Sequence, residues 1–191
     1  MGDKKIILNL GCGYKPMKDA VNCDVNNHEG VDIVVDLNNK FPFPDEHADE
    51  IHANHIIEHF PDVVRFVNEC HRVLKPGGKL FIRVPHSSNV SSNGMIEHYR
   101  SFSYHTLKHT FTGKHYLGGK HFEQVYCKLN WWYSQEGVDR FDFVPKALVP
   151  FVVLFDKLFT FLARLSPEVC ENLWCYWVGG FREIEYKGIK R

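Results

Sequence analysis

The chain has 191 residues, with 23 basic and 23 acidic side chains and a formal net charge of zero. That length suits one domain with a sizeable core, and 44% hydrophobic with 14% aromatic residues exclude a disordered chain. A neutral balance argues against non-specific nucleic-acid binding, which needs a basic surface.

The charge and the aromatics are unevenly spread. Residues 1–86 hold 6 of the 27 aromatics and 10 basic against 13 acidic side chains, while residues 87–191 hold the other 21 aromatics. The six cysteines (Cys12, Cys23, Cys70, Cys127, Cys170, Cys175) form no C-x-x-C pair, so they read as reduced, mostly buried thiols. The N-terminus shows no signal-peptide apolar region. The longest uncharged apolar stretch, Ala147 to Phe155, is far below the roughly 18–20 residues of a membrane span. A soluble cytoplasmic protein without a transmembrane segment is the expectation.

Short apolar runs alternate with turn signals through the first half. Lys5 to Leu10 is β-favouring and leads straight into Gly11-Cys12-Gly13. Ala20 to Val25 carries Asp24 at its end, and Val31 to Val35 is followed by Asp36. Glu50 to Ile57 and Lys79 to Val84 complete five strand-like runs, of the kind a parallel sheet covered on both faces requires. Between the last two, Val63, Phe66, Val67, Cys70, Val73 and Leu74 recur at helical spacing. Pro61 is placed to open that helix and Pro76-Gly77-Gly78 to end it. Strand–helix–strand order with parallel strands predicts an α/β, doubly wound, mostly parallel sheet.

In the second half, Ser101 or Ser103 is expected to cap a helix through His109, and Phe122 to Trp132 to form a strand. Pro145 to Leu165 is helical in composition and apolar nearly all round, broken by Asp156 and Lys157. Phe181 to Ile189 ends the chain as an antiparallel strand with Ile184 and Tyr186 on one face. With no repeat or linker, residues 1–191 are expected to form one domain.

A strand that runs into Gly-x-Gly lets backbone N–H groups approach a ligand closely. In a doubly wound sheet, Asp24 and Asp36 would flank that turn along one edge. Asp24 is suited to accept the hydroxyls of a ribose, and Asp36, with the backbone of Leu37, to meet an adenine amino group. Loop capping is the plainer role for either aspartate.

Leu8 to Gly13, Val21 to Asp24, Asp49 through His59, and Leu74 to Leu80 together resemble the class I S-adenosylmethionine-dependent methyltransferases of the broad type-11 kind, over about residues 5–86. The resemblance implies a Rossmann-like methyltransferase fold, S-adenosylmethionine as cofactor and S-adenosylhomocysteine as product. It implies that Gly11, Cys12 and Gly13 line the methionine end, Asp24 holds the ribose, and Asp36 and Leu37 bracket the adenine. Asn54 and His55 then face the reactive end. Residues 1–86 would be the cofactor half and 87–191 the acceptor or lid half. Asn9 departs from the family's frequent acidic residue. Only ten residues separate Gly13 from Asp24, so the usual first helix must shrink to about one turn.

The sulfonium carries the driving force, so binding and alignment matter more than a catalytic triad. His55, His59, His86 and His98 are candidates for base or positioning roles. His55, Glu58 and His59 also have spacing that would put three metal ligands on one helical face, and the segment resembles the E-x-x-E-H element of the ubiquinone-pathway O-methyltransferases, which holds a divalent ion. Capping of the strand–helix junction is preferred over that metal. His105 and His109 read as a solvated helix face.

The expected activity is methyl transfer to an O or N nucleophile of a small-molecule acceptor. The alternatives are a non-catalytic cofactor- or partner-binding module, or another group transferase using the same donor. Trp131-Trp132-Tyr133, Phe151 to Phe161 and Trp174 to Trp177 are expected to be mostly core, with the remainder shaping an apolar, aromatic or sugar-ring pocket. The long apolar helix is expected to be buried against the sheet or a second copy of the chain in a homodimer.

Overall fold

A computed structural model describes residues 5–89, 92, 94–112, 122–130, 145–175 and 181–191. Seven strands form one sheet: β1 (Ile7–Leu10), β2 (Val21–Asp24), β3 (Ile33–Val34), β4 (Ala48–Asn54), β5 (Leu74–Pro85), β6 (Phe122–Asn130) and β7 (Glu183–Lys190). Their spatial order is β3-β2-β1-β4-β5-β7-β6. The first five pair in parallel, whereas β7 is antiparallel to both β5 and β6. The mostly parallel α/β sheet with an antiparallel C-terminal strand is therefore present.

The central parallel strands carry apolar side chains where both faces are covered. Leu8, Leu10, Cys23, Ile51, Ala53, Leu80, Ile82 and Val84 are all buried in one core. Helix α1 (Val63–Val73) crosses from β4 to β5, burying Phe66, Val67, Cys70 and Val73. Its cap is Asp62 rather than Pro61: the Asp62 side chain accepts the Arg65 N–H at 2.9 Å. The helix also ends before Pro76-Gly77-Gly78. Leu74 already pairs with Ala48, and the ladder resumes at Lys79 opposite Glu50, so the Pro-Gly-Gly element sits in an irregularity of β5.

The connection from β1 to β2 contains no helix, not even the single turn expected from its length. Side-chain hydrogen bonds organise it instead. Asn22, inside β2, accepts the Met17 N–H at 2.7 Å and donates to Met17 and Ala20 carbonyls. Asn9 donates to Asn22 Oδ1 at 2.8 Å, which explains a buried amide at that position of β1.

Beyond β5, α2 (Tyr104–Thr112) is capped by Ser103, whose hydroxyl accepts the Thr106 N–H at 3.0 Å. It buries Tyr104, Leu107 and Phe111, with Phe111 stacked on Tyr186 of β7 at 4.7 Å. β7 buries Ile184 and Tyr186 as its alternation requires.

Helix α3 (Val149–Leu165) departs from expectation. It buries only Asp156 and Ala163 fully, while Phe151, Leu154, Phe155, Leu158, Phe161 and Leu165 are exposed. Most of its large apolar side chains are therefore at the surface, while the helix meets β6 of the sheet and buries Ala163 in the core. Residues 131–133 and 176–177 fall outside the described residues. No helix among the described residues is long and apolar enough to cross a membrane.

Candidate functional site

The parallel strands all run toward one edge, and the ends of β1, β2, β4 and β5 place the predicted site residues there. Gly11 and Gly13 both adopt left-handed backbone angles, with φ of 65° and 52°. At Gly11 a Cβ would meet Ile56 Cδ1 at 2.1 Å; at Gly13 nothing lies within 4 Å. The first glycine is thus required by packing and the second leaves open space beside the turn. Cys12 is buried, and its N–H donates to the Cys23 carbonyl, tying the turn to the end of β2.

Asp24 ends β2 with only 8% of its surface exposed. Its Oδ2 accepts the Gly13 N–H at 2.8 Å and its Oδ1 the Asn26 N–H at 2.9 Å. Each oxygen keeps a second lone-pair direction. A ribose diol fits that remaining capacity.

Asp36 is different. It is exposed, and its carboxylate caps its own loop, accepting the Asn38 N–H and side chain and the Asn39 side chain. Leu37 is buried in the core. The capping role of Asp36 is the one its geometry displays.

Asn54, the last residue of β4, is exposed, and His55 follows it at φ 52°, a left-handed angle that L side chains rarely adopt. The His55 N–H donates to the Arg83 carbonyl at 2.8 Å. Its ring lies between two carboxylates, Nε2 3.3 Å from Glu183 Oε2 and Nδ1 3.7 Å from Glu58 Oε1. Burial alone would lower its pKa, but the two carboxylates outweigh burial and push it to about 9. His55 is consequently an imidazolium at neutral pH, a hydrogen-bond donor rather than a general base.

The expected set of His55, Glu58 and His59 does not converge. His55 precedes the single 3₁₀ turn, Ile57–His59, that carries the other two, and its ring is shared between Glu58 and Glu183 instead of meeting His59. The residue brought to Glu58 and His59 is His98, and the ligand atoms of these three lie within 4.8 Å of one another.

His86 follows β5 and is almost wholly buried. Its Nδ1 accepts the Ser88 N–H at 3.1 Å and its Nε2 lies 3.0 Å from Glu171 Oε1. With both nitrogens engaged by the protein, His86 positions its neighbours instead of serving as a free base. Glu171 also accepts the N–H groups of Tyr104 and His105 at the start of α2. Burial would raise its pKa, yet those three donors hold it below the usual carboxylate value. A cleft of about 680 Å³ opens beside this pair, lined by Ser87, Ser88, Ser103, His105, Glu168 and Asn172 among others. Its volume lies within the range of small-molecule sites. His105 and His109 sit edge to face at 4.0 Å on the outer side of α2.

Glu171 and Glu183 were not marked by the sequence. Glu183 is the one with a signal, a charge at the start of an otherwise alternating strand, but its partner His55 is 128 positions away. All six thiols are free, and burial pushes those of Cys23 and Cys127 to about 12.

Residues 8–82 match the family model described as a methyltransferase domain. A probable S-adenosylmethionine-dependent methyltransferase of Mycolicibacterium smegmatis is 41% identical over 46 residues, 24% of this chain and 18% of that protein. The chain thus spans under a fifth of that curated relative in the matched segment. Among solved structures, a SAM-dependent methyltransferase from Archaeoglobus fulgidus is similar with a TM-score of 0.58 and 16% identity, covering 98% of this chain and 87% of that one. The Haemonchus contortus phosphoethanolamine N-methyltransferase 2, in complex with S-adenosyl-L-methionine, gives a TM-score of 0.58 at 14% identity, covering 100% of this chain and 49% of that one.

Proposed function

We propose, from the match of residues 8–82 to the methyltransferase-domain family model, that the chain moves the methyl group of S-adenosylmethionine to an oxygen or nitrogen nucleophile of a small polar acceptor, leaving S-adenosylhomocysteine. The observation that carries the reading is the Asp24–Gly13 contact of 2.8 Å beside the open face of the glycine turn. It supports a site in which Gly11, Cys12 and Gly13 lie along the methionine end and Asp24 takes the ribose hydroxyls. Asn54 and His55 then border the reactive end.

The bound cofactor supplies an activated methyl group on a sulfonium. The chain's residues bind it, aim the acceptor and limit water. Alignment of a nucleophile contributes up to roughly 7–11 kcal/mol, so the lack of a free base at His55 and His86 is compatible with catalysis. The polar lining of the cleft beside His86 supports a hydroxylated or amino acceptor over a purely apolar one. Ser87, Ser103 and Asn172 would orient it.

Calorimetry with S-adenosylmethionine, S-adenosylhomocysteine and NAD tests the cofactor, followed by labelled methyl transfer to polar acceptors. The first two should bind and NAD should not. Folded protein that binds neither would overturn the proposal.

A further inference from the structure

Two segments distant in sequence are locked together next to the end of β4. The backbone N–H groups of Tyr99 and Arg100 both donate to the Glu58 carbonyl, at 2.9 and 3.2 Å. The Arg100 guanidinium donates to the Pro61 carbonyl at 3.0 Å. His98 is thereby held beside Glu58 and His59, with the three ligand atoms within 4.8 Å.

Both rings are oriented by a protein oxygen. His59 Nδ1 lies 3.1 Å from the Glu97 carbonyl, an acceptor, so Nδ1 carries the proton and Nε2 the lone pair. His98 Nδ1 lies 3.0 Å from Ser92 Oγ, and a hydroxyl can accept there, leaving Nε2 free in the same way. Metal-ligating histidines are held by such second contacts. Glu58 provides an independent observation. It is 1% exposed; its Oε1 faces His55 Nδ1 at 3.7 Å, but its Oε2 has no hydrogen-bond partner. A buried carboxylate oxygen left unpaired is costly, and a cation would satisfy it.

We infer that Glu58, His59 and His98 form a site for a divalent first-row transition ion, with Zn²⁺ as the fitting occupant. Two imidazoles and one carboxylate are the donor set of open zinc sites, whereas Mg²⁺ and Ca²⁺ prefer oxygen throughout. Tetrahedral bonds of about 2.0–2.1 Å put ligand atoms about 3.3–3.4 Å apart, so the three atoms would close in by up to about 1.5 Å, a shift within side-chain reach. Three protein ligands leave a fourth position for water or an acceptor oxygen. That last role rests on the methyl-transfer reading; the binding of the ion does not.

The test uses the full chain without a histidine tag, stripped with EDTA, dialysed, and titrated with ZnCl₂ by calorimetry and with CoCl₂ by visible absorption. One equivalent should bind, and the Co²⁺ form should show ligand-field bands. His98→Ala, on a partly exposed segment whose loss leaves the core intact, should weaken Zn²⁺ binding at least about tenfold and abolish those bands. Glu58→Gln should do the same, while His109→Ala should change neither. Absence of stoichiometric binding, or binding that survives His98→Ala in folded protein, would overturn the inference. Cofactor affinity measured on the same samples separates the two readings: loss of Zn²⁺ binding with cofactor binding intact removes only the metal site.

Discussion

Asp24 Oδ2 accepts the Gly13 N–H at 2.8 Å, so the carboxylate that ends β2 fastens the glycine turn that follows β1. Asp24→Ala should weaken S-adenosylhomocysteine binding by about 1.5–3 kcal/mol, the scale of lost charge-assisted hydrogen bonds. Asp24→Asn keeps one acceptor oxygen and should lose less. Calorimetry on both variants checks the order, and unchanged affinity in Asp24→Ala would remove the residue from the site.

The two glycines of the turn should respond differently to the same substitution. Gly11→Ala drives a Cβ to 2.1 Å from Ile56 Cδ1 at a φ of 65°, whereas Gly13→Ala meets nothing within 4 Å and suffers only its φ of 52°. Left-handed backbone costs an L residue about 1–2 kcal/mol, so Gly13→Ala should lose about that much stability. Gly11→Ala should lose more, and adding Ile56→Ala should restore the excess. Urea denaturation of the two single variants, Ile56→Ala and the double variant measures the coupling. Independent, additive losses would show that the Ile56 contact is not the constraint.

The strand ends were legible because short apolar-rich runs stop at chemically marked turns. Leu10 into Gly11 and Cys23 into Asp24 announce themselves within a few residues. Other features depend on partners that no local pattern carries. The Asn22 network replaces a helix after β1, and His55 finds Glu183 across the sheet. His98 joins His55 beside Glu58 because the Tyr99 and Arg100 backbone docks there. The exposure of α3 was likewise hidden, since apolar residues all round a helix do not say which side has neighbours.

Acid should reveal the clasp between α1 and the loop before β4. Glu69 Oε2 accepts the Phe41 N–H at 2.8 Å, and Arg72 bonds Glu69 while donating to the Phe41 and Phe43 carbonyls. Arg72 first, and the Phe41 N–H beside it, hold the Glu69 carboxyl below its usual value. Its contribution to stability is therefore full above the unfolded pKa of about 4.3. It is lost as pH falls from there through the lower folded value, because the unfolded chain binds the proton first. Glu69→Gln should cost about 1.5–3 kcal/mol at pH 7 and flatten the loss of stability below pH 4.5. Thermal unfolding from pH 3 to 7 tests both; an unaltered acid slope in Glu69→Gln would assign that slope to other carboxylates such as Asp49, which Ile6 N–H and Lys75 also hold down.

Helix α3 should tolerate polar substitution on the face the apolar residues occupy. Phe151 and Leu158 remain 60% and 47% exposed, so little of their surface is removed from water on folding and little stability is at stake. Phe151→Ser and Leu158→Ser should each change unfolding free energy by no more than about 0.5 kcal/mol, and together they should raise solubility by breaking an apolar stripe. Ala163, on the same helix, is fully buried. Ala163→Leu adds three carbons to a filled space and should cost about 1–3 kcal/mol. Denaturation of the three variants separates the faces: a large loss from Phe151→Ser would mean that this surface is covered in solution, and a neutral Ala163→Leu would mean that α3 does not pack on the sheet through Ala163.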